Sequence, residues 1–258
     1  MGGDGIGSGG DRVALITGGS RGIGAAICWA LAQSGVRVAV NYHRRAEAAE
    51  AVAAAIVGEG GRAFAVGGDV SVAADVDRIV RRTEAELGPV TILVNNAALT
   101  DTHKPWQEIS EEEWNRVLAV NLTACFLCFR TVYPAMQAAG WGRVVNISSV
   151  TFWLGRPNLL HYVSAKGGMI GFTRTLAREV GAEGITVNAV TPGAIQTEAE
   201  LELFPDQAGI ANWLAAEQAV KRRGLPTDVA AAVAFLASDD AGFISGQTLN
   251  VDGGWAMH

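Results

Sequence analysis

Thr17-Gly-Gly-Ser-Arg-Gly-Ile-Gly24 lies between the apolar run Val13-Ala-Leu-Ile-Thr17 and a stretch over 23–34 that reads as a helix. This strand–turn–helix decides the fold. The continuous apolar run suits a strand covered on both faces. Glycines at 18, 22 and 24 allow a tight turn and a close backbone approach to a pyrophosphate. The helix that follows offers unpaired N–H groups and the positive end of its dipole. The spacing is GxxxGxG, with no Lys-Ser/Thr after it, so it is neither the common GxGxxG fingerprint nor a phosphate loop for Mg-ATP.

Outward from this turn, short apolar runs alternate with longer amphipathic ones. Strands are expected over 36–41, 63–66, 90–94, 142–147, 185–190 and 248–251. Helices are expected between them, up to about 57, then over 73–87, 162–181 and 228–237. Ser110 and Glu113 form a capping box that starts a helix toward Val120, which continues or kinks into the apolar stretch ending at Met136. A further helix over 198–217 is expected to break near Pro205 and Gly209. Repeated βα units of this spacing imply an α/β fold: one Rossmann-type, doubly wound parallel sheet with helices on both faces. A flexible Gly-rich tail over 1–10 precedes a single catalytic domain over 11–258, with a substrate-loop region at about 194–217.

Composition narrows the function classes. The 258 residues carry 20 basic and 26 acidic side chains, a net charge of −6. A nucleic-acid binder needs a basic face, and the longest basic run is only Lys221-Arg222-Arg223. Cys125 and Cys128 make a CxxC, but inside the apolar Thr-Ala-Cys-Phe-Leu-Cys-Phe, where core packing is the plainer role. Four scattered histidines have no zinc spacing, so no metal is expected. The amino-terminal stretch lacks the basic and apolar regions of a signal peptide, and no run reaches 18 apolar residues. The expectation is a cytoplasmic protein with neither nucleic acid nor membrane as partner.

The end of the second strand chooses between dinucleotides. A carboxylate there would bind the ribose 2′-OH and repel a 2′-phosphate. This chain has Asn41, Tyr42, His43, Arg44 and Arg45 instead, with no acid before Glu47, and Arg21 lies in the glycine loop within reach of the same phosphate. Arginine forks match phosphate. NADP(H) is therefore preferred, with NAD(H) the alternative. Asp69, ending the third strand, is placed to accept a hydrogen bond from the adenine amino group. Asn95-Asn-Ala-Ala98 ends the fourth strand with small residues that line the cofactor.

Tyr162-Val-Ser-Ala-Lys166 puts a phenol and an ammonium on one helix face. Ser149 precedes the tyrosine by thirteen residues. A nearby Lys⁺ favours the phenolate and is expected to lower the tyrosine pKa from its usual value near 10. The serine can hold a carbonyl or alcohol oxygen while a nicotinamide exchanges hydride with the adjacent carbon. A dinucleotide-binding regulator would have no need of Lys166 beside Tyr162. Ser148 is read as supporting the turn, and His161 as packing or interface.

With these motifs in place, the sequence resembles the classical short-chain dehydrogenase/reductases, close to the 3-oxoacyl-carrier-protein reductase branch, over roughly 11–255. The resemblance implies cofactor contacts from Gly18, Ser20, Arg21, Gly22, Ile23 and Gly24, from Tyr42, His43 and Arg44, and from Asp69, Val70, Asn95 and Ala97. It adds Tyr162 and Lys166, then Pro192, Gly193, Ile195 and Thr197 in the segment closing over the nicotinamide. Ala98 stands where the family usually has glycine. Asn121 matches the asparagine that fixes the lysine through a water, completing a relay of Asn121, Ser149, Tyr162 and Lys166. The family's pattern also implies a homotetramer, built through helices around 103–136 and 162–180 and through the C-terminal helix and strand.

The substrate pocket is expected from Trp106, Thr151, Phe152, Trp153, Leu154 and Leu159, with Trp213 a further candidate. Such a lining suits an apolar ketone or secondary alcohol. A carrier-protein substrate would prefer a basic rim, for which the net charge offers no support. The remaining alternative is an NAD-linked enzyme working oxidatively.

Overall fold

A computed structural model describes residues 12–100, 103–203 and 206–257. The segment 1–10, Pro205 and His258 lie outside them. Among the described residues seven strands form one sheet, β1 Val13–Ile16, β2 Arg37–Tyr42, β3 Ala63–Gly67, β4 Ile92–Asn95, β5 Gly142–Ile147, β6 Ile185–Pro192 and β7 Thr248–Val251. All pairings are parallel, in the order β3-β2-β1-β4-β5-β6-β7. Strand alternation sends side chains to two separate cores. Ala14 and Ile16 join one apolar cluster, Val13 and Leu15 the other.

Helices cover both faces because each presents an apolar stripe. On one side lie α1 Gly22–Gln33 and α2 Ala46–Gly58, joined below by α10 Pro226–Leu236 near the end of the chain. On the other lie α3 Ala73–Leu87, α5 Ala124–Ala139 and α7 Leu160–Val180. Short pieces complete the chain, with α4 Glu111–Leu118 before α5, α6 Thr151–Leu154 after β5, and α8 Glu198–Leu203 and α9 Gln207–Glu217 before α10. The strand order reverses between β1 and β4, which opens a crevice at their C-terminal ends. That crevice holds the site.

Several boundaries differ from expectation for local reasons. Ser110 caps α4 by accepting the Glu113 N–H, and the helix then runs on through a π-helical turn, Ala119–Thr123, into α5. Gly209 does not break a helix. It sits inside α9, where its N–H donates to the capping carboxylate of Asp206 at 2.9 Å. The continuous helix Glu111–Ala139, 29 residues, is by length and composition apolar enough to cross a bilayer, although it holds no unbroken run of 18 apolar residues. Its Ala124, Cys128, Val132 and Met136 belong to the core beneath the sheet, packed with α3 and β5. Cys28, Cys125 and Cys128 are all buried and free.

Candidate active site

The glycine loop is clamped from both sides. The Gly19 N–H donates to Asn41 O at 2.8 Å and the Gly18 N–H to Asn41 Oδ1 at 3.3 Å. Asn41 Nδ2 in turn donates to Val66 O and Gly68 O. From the opposite side, Asn96 Nδ2 donates to Thr17 O and Gly18 O at 2.9 and 3.0 Å, while Thr17 Oγ1 accepts the Asn96 and Ala97 N–H groups. Gly18 and Gly22 sit at φ +63° and +53°, and a Cβ on Gly24 would lie 2.2 Å from Gly18 O. Only glycine fits there. Among the described residues the first turn of α1 has no acid and no side-chain cap, and its Gly22, Ile23 and Gly24 line the crevice.

The crevice is a groove of about 470 Å³. Gly18, Ser20, Arg21, Gly22, Ile23 and Gly24 line its floor, Tyr42, His43, Arg44, Asp69 and Val70 the end expected from the sequence to take the adenosine, and Ala97 and Thr197 the remaining walls. Asn41, Arg45 and Asn96, from the strand ends expected to meet the cofactor, line it as well, and Arg116 does so without having been expected. A sequence signal existed for the asparagines: each is a polar residue at the tip of an apolar strand. Asn95 is the correction. It is buried within the sheet, donating to Asn146 Oδ1 at 2.8 Å, and its neighbour Asn96 faces the groove. Pro192, Gly193 and Ile195 do not line the groove either. Gly193 is pressed against Asp252, 2.7 Å from a Cβ to its Cα, and Ile195 lines a separate cavity beside β7.

Charge at the adenosine end fits an anionic nucleotide. Arg44 and Arg45 precede α2, and His43 Nε2 lies 3.7 Å from Asp69 Oδ2. Burial opposes ionisation of Asp69, but the Ser71 hydroxyl and amide, with His43 and Arg116 nearby, together hold its carboxyl below the ordinary range. Arg21 Nη1 is buried without a hydrogen-bond partner, with only a 3.6 Å ion pair to Glu202 Oε2. An unsatisfied guanidinium nitrogen, a helix start without a side-chain cap and a glycine cradle are what a dinucleotide phosphate would satisfy.

Ser149, Tyr162 and Lys166 come together outside the lining of this groove, so the cofactor contacts expected of Tyr162 and Lys166 are not among its walls. Ser149 follows β5 and hydrogen-bonds with the Tyr162 side chain, while its Oγ also accepts from Thr151 N and Oγ1. Lys166 Nζ donates to Ile147 O at 2.7 Å and lies 5.6 Å from the Tyr162 ring centroid. Ser148 Oγ donates to Lys166 O, tying β5 to α7. Asn121 is fully buried in the π turn, where its side chain holds Leu99 O, Leu99 N–H and Val117 O, and its own carbonyl accepts from Cys125 Sγ at 3.6 Å. The expected direction of the tyrosine shift is reversed. Burial pushes the Tyr162 phenol up to about 12, the Ser149 hydrogen bond pulling the other way, and burial also pulls Lys166 down to about 8. Desolvation is the larger effect in both.

The expected pocket residues divide. Thr151, Phe152, Trp153 and Leu154 form α6 directly behind Ser149, with Phe152 against Gly167 of α7 and against Trp153. Leu159 is buried at the start of α7, and Trp106 is 66% exposed on a short 3-10 turn. Trp213 of α9 packs edge-on to Trp255, 5.1 Å between centroids, with the Arg156 guanidinium over its ring. The 194–217 region thus reaches the loop that follows α6. Trp255 was missed because only tertiary packing brings it there.

A parallel doubly wound sheet with a glycine-lined groove, and a serine, tyrosine and lysine gathered beside it, defines a class of single-domain dinucleotide-dependent oxidoreductases. The chain belongs to that class by comparison as well as by geometry. It is a member of the short-chain dehydrogenase/reductase family: a family model described as enoyl-(acyl carrier protein) reductase matches residues 18–256. It is 42% identical to a 3-oxoacyl-[acyl-carrier-protein] reductase from Synechocystis sp., over 95% of this chain and 97% of that one. An acetoacetyl-CoA reductase from Rhizobium meliloti is 44% identical over 94% and 98% of the two chains. Among solved structures it is similar to a blue fluorescent protein from a metagenomic library in complex with NADPH, with a TM-score of 0.89 and 35% identity over 97% of this chain and 100% of that one.

Proposed function

We propose that the protein reduces a ketone to a secondary alcohol with NADPH, reversibly, through Ser149, Tyr162 and Lys166. The observation that carries the reading is the hydrogen-bonded Ser149–Tyr162 pair with Lys166 beneath it, next to a groove shaped for a dinucleotide. Gly18 to Gly24 would hold the pyrophosphate, Asp69 the adenine, and Arg21, His43, Arg44 and Arg45 the 2′-phosphate. The bound cofactor would supply the hydride. Ser149 orients the carbonyl oxygen, and Tyr162 gives that oxygen its proton. A buried phenol with a raised pKa is a weak acid, yet an alkoxide forming beside it is a stronger base than the phenolate left behind. Lys166 steadies that phenolate by its charge, and Asn121 supports the relay by fixing the turn that packs on α7.

For the substrate, the α6 aromatics favour an apolar ketone. A 3-oxoacyl thioester is the second reading, supported by the names of the two relatives above. The free buried cysteines suit the reducing cytoplasm, where we place the enzyme. We also infer a homotetramer. Phe126, 49% exposed on α5, borders an apolar groove of about 430 Å³ shared with Phe172 of α7, and Phe243 is fully exposed near the C-terminus. Purified enzyme is to be screened with NADPH and NADH separately against aryl ketones, cyclic ketones and 3-oxoacyl thioesters, following loss of the reduced nicotinamide absorbance. NADPH oxidation by one ketone class, with NADH much poorer, is expected. Clear preference for NADH would remove the 2′-phosphate argument.

A further inference from the structure

Helix α7 presents Tyr162 on its first turn, yet that turn has no side-chain cap: Leu159 occupies the N-cap position. The orphan N–H groups of a helix start need acceptors. The Tyr162 N–H finds one in His161 Nδ1 at 2.9 Å, on an imidazole that is 2% exposed. Because Nδ1 accepts, the proton of the neutral ring sits on Nε2. Nε2 lies 3.5 Å from Glu113 Oε1 on α4. Glu113 Oε2 accepts from Lys104 Nζ at 2.6 Å, and the Lys104 amide donates to Asn158 O at 3.0 Å, in the loop just before α7. Asn158 takes φ +64°, the left-handed conformation, to present that carbonyl. The chain of contacts therefore closes on itself, from the loop at 103–105 through α4 to both sides of the helix start. Opposite it, Ser148 and Lys166 bind α7 to the end of β5.

We propose that His161 and Glu113 are positioning residues for Tyr162: through the Tyr162 N–H and the α4 carboxylate they fix the first turn of α7 relative to Ser149. An apolar side chain at 161 would fill the same space and leave the Tyr162 N–H without its acceptor. Asparagine at 161 would keep a side-chain oxygen able to accept it. The kinetic part of this inference rests on the reduction proposed above. The structural part does not.

The test compares His161→Leu, His161→Asn and Glu113→Leu with wild type, by steady-state kinetics, NADPH affinity, and hydrogen exchange of the segment 159–166 in the protein without cofactor. His161→Leu and Glu113→Leu are expected to lower kcat about tenfold or more, the scale of a small misplacement of a reacting group, with KM and NADPH affinity nearly unchanged. Both should speed exchange at the start of α7, and His161→Asn should recover most of both losses. Wild-type kcat and exchange in His161→Leu would overturn the proposal, as would a His161→Asn enzyme no better than His161→Leu. If His161→Leu fails to fold, Glu113→Leu decides by the same two readouts. Should wild type reduce no ketone, the functional reading fails, and the exchange data alone still decide the positioning role.

Discussion

The adenosine end of the groove and the Ser149–Tyr162–Lys166 cluster outside its lining are built by different physics. The adenosine end is made of backbone: glycines in left-handed conformations, helix N–H groups, and asparagines that spend their side chains holding the loop. Its charged groups are partly exposed, and the Asp69 carboxyl is held below its usual range. The proposed catalytic cluster is made of buried and half-buried side chains. Lys166 is 1% exposed and Ser149 8%, and burial moves Tyr162 and Lys166 in opposite directions toward their neutral forms. One end recognises by shape, which tolerates no added atom. The other, in the reaction proposed above, acts by ionisation, which tolerates exchange of atoms but no change of environment.

The sharpest way to break that contrast is an added methyl group. Gly24→Ala would put a Cβ 2.2 Å from the Gly18 carbonyl, a backbone atom that cannot step aside. Loss of measurable NADPH binding by titration, in a protein whose circular dichroism stays native, is the expected outcome. Next comes pH. With Lys166 near 8, its proton is present below that value and leaves above it, withdrawing the charge that supports a Tyr162 phenolate. The pH profile of kcat/KM for reduction should accordingly fall on the alkaline side with an apparent pKa near 8.

The same shift has a sign for stability. A lysine lowered from 10.5 to about 8 contributes stability that is present above 10.5 and lost as pH falls through 8, on the order of 3 kcal/mol. Tyr162 runs the other way, its contribution present below 10 and lost as pH rises through about 12. Lys166→Met should flatten the rise between pH 8 and 10.5 in urea unfolding curves. At the adenosine end, Arg44→Ser with Arg45→Ser is expected to reduce the NADPH-over-NADH affinity ratio about tenfold, the worth of one or two charge-assisted hydrogen bonds. Smallest is Ser148→Ala, which removes the tie to Lys166 O and should cost about 1 kcal/mol of unfolding free energy with kcat little changed.

The same contrast explains what could be read from residues alone. Strands β5 and β7 and the glycine loop were legible because local pattern determines them. The choice between Asn95 and Asn96 was not, since strand alternation turns one into the sheet and the other toward the groove. Ser148 and Ser149 pose the same problem: Ser149, favoured by its spacing to Tyr162, meets the phenol, and Ser148 meets the Lys166 carbonyl. Spacing placed Lys166 one turn from Tyr162 and supplied the sign of their attraction. It carried no measure of burial, the larger effect, so the tyrosine shift came out reversed. The π turn around Asn121 and the short helix behind Ser149 left no periodic signature. His161 looked like packing until Glu113, distant in sequence, appeared beside its ring.

Tyr162→Phe tests the division of labour most directly. It removes one hydroxyl from the catalytic end and touches nothing that holds the nucleotide loop. Turnover should fall by about 10²- to 10⁴-fold, the range for losing a general acid, while the NADPH dissociation constant stays within a few-fold of wild type. Turnover near the wild-type rate would contradict the account, because no other group among the described residues has been given that proton to donate.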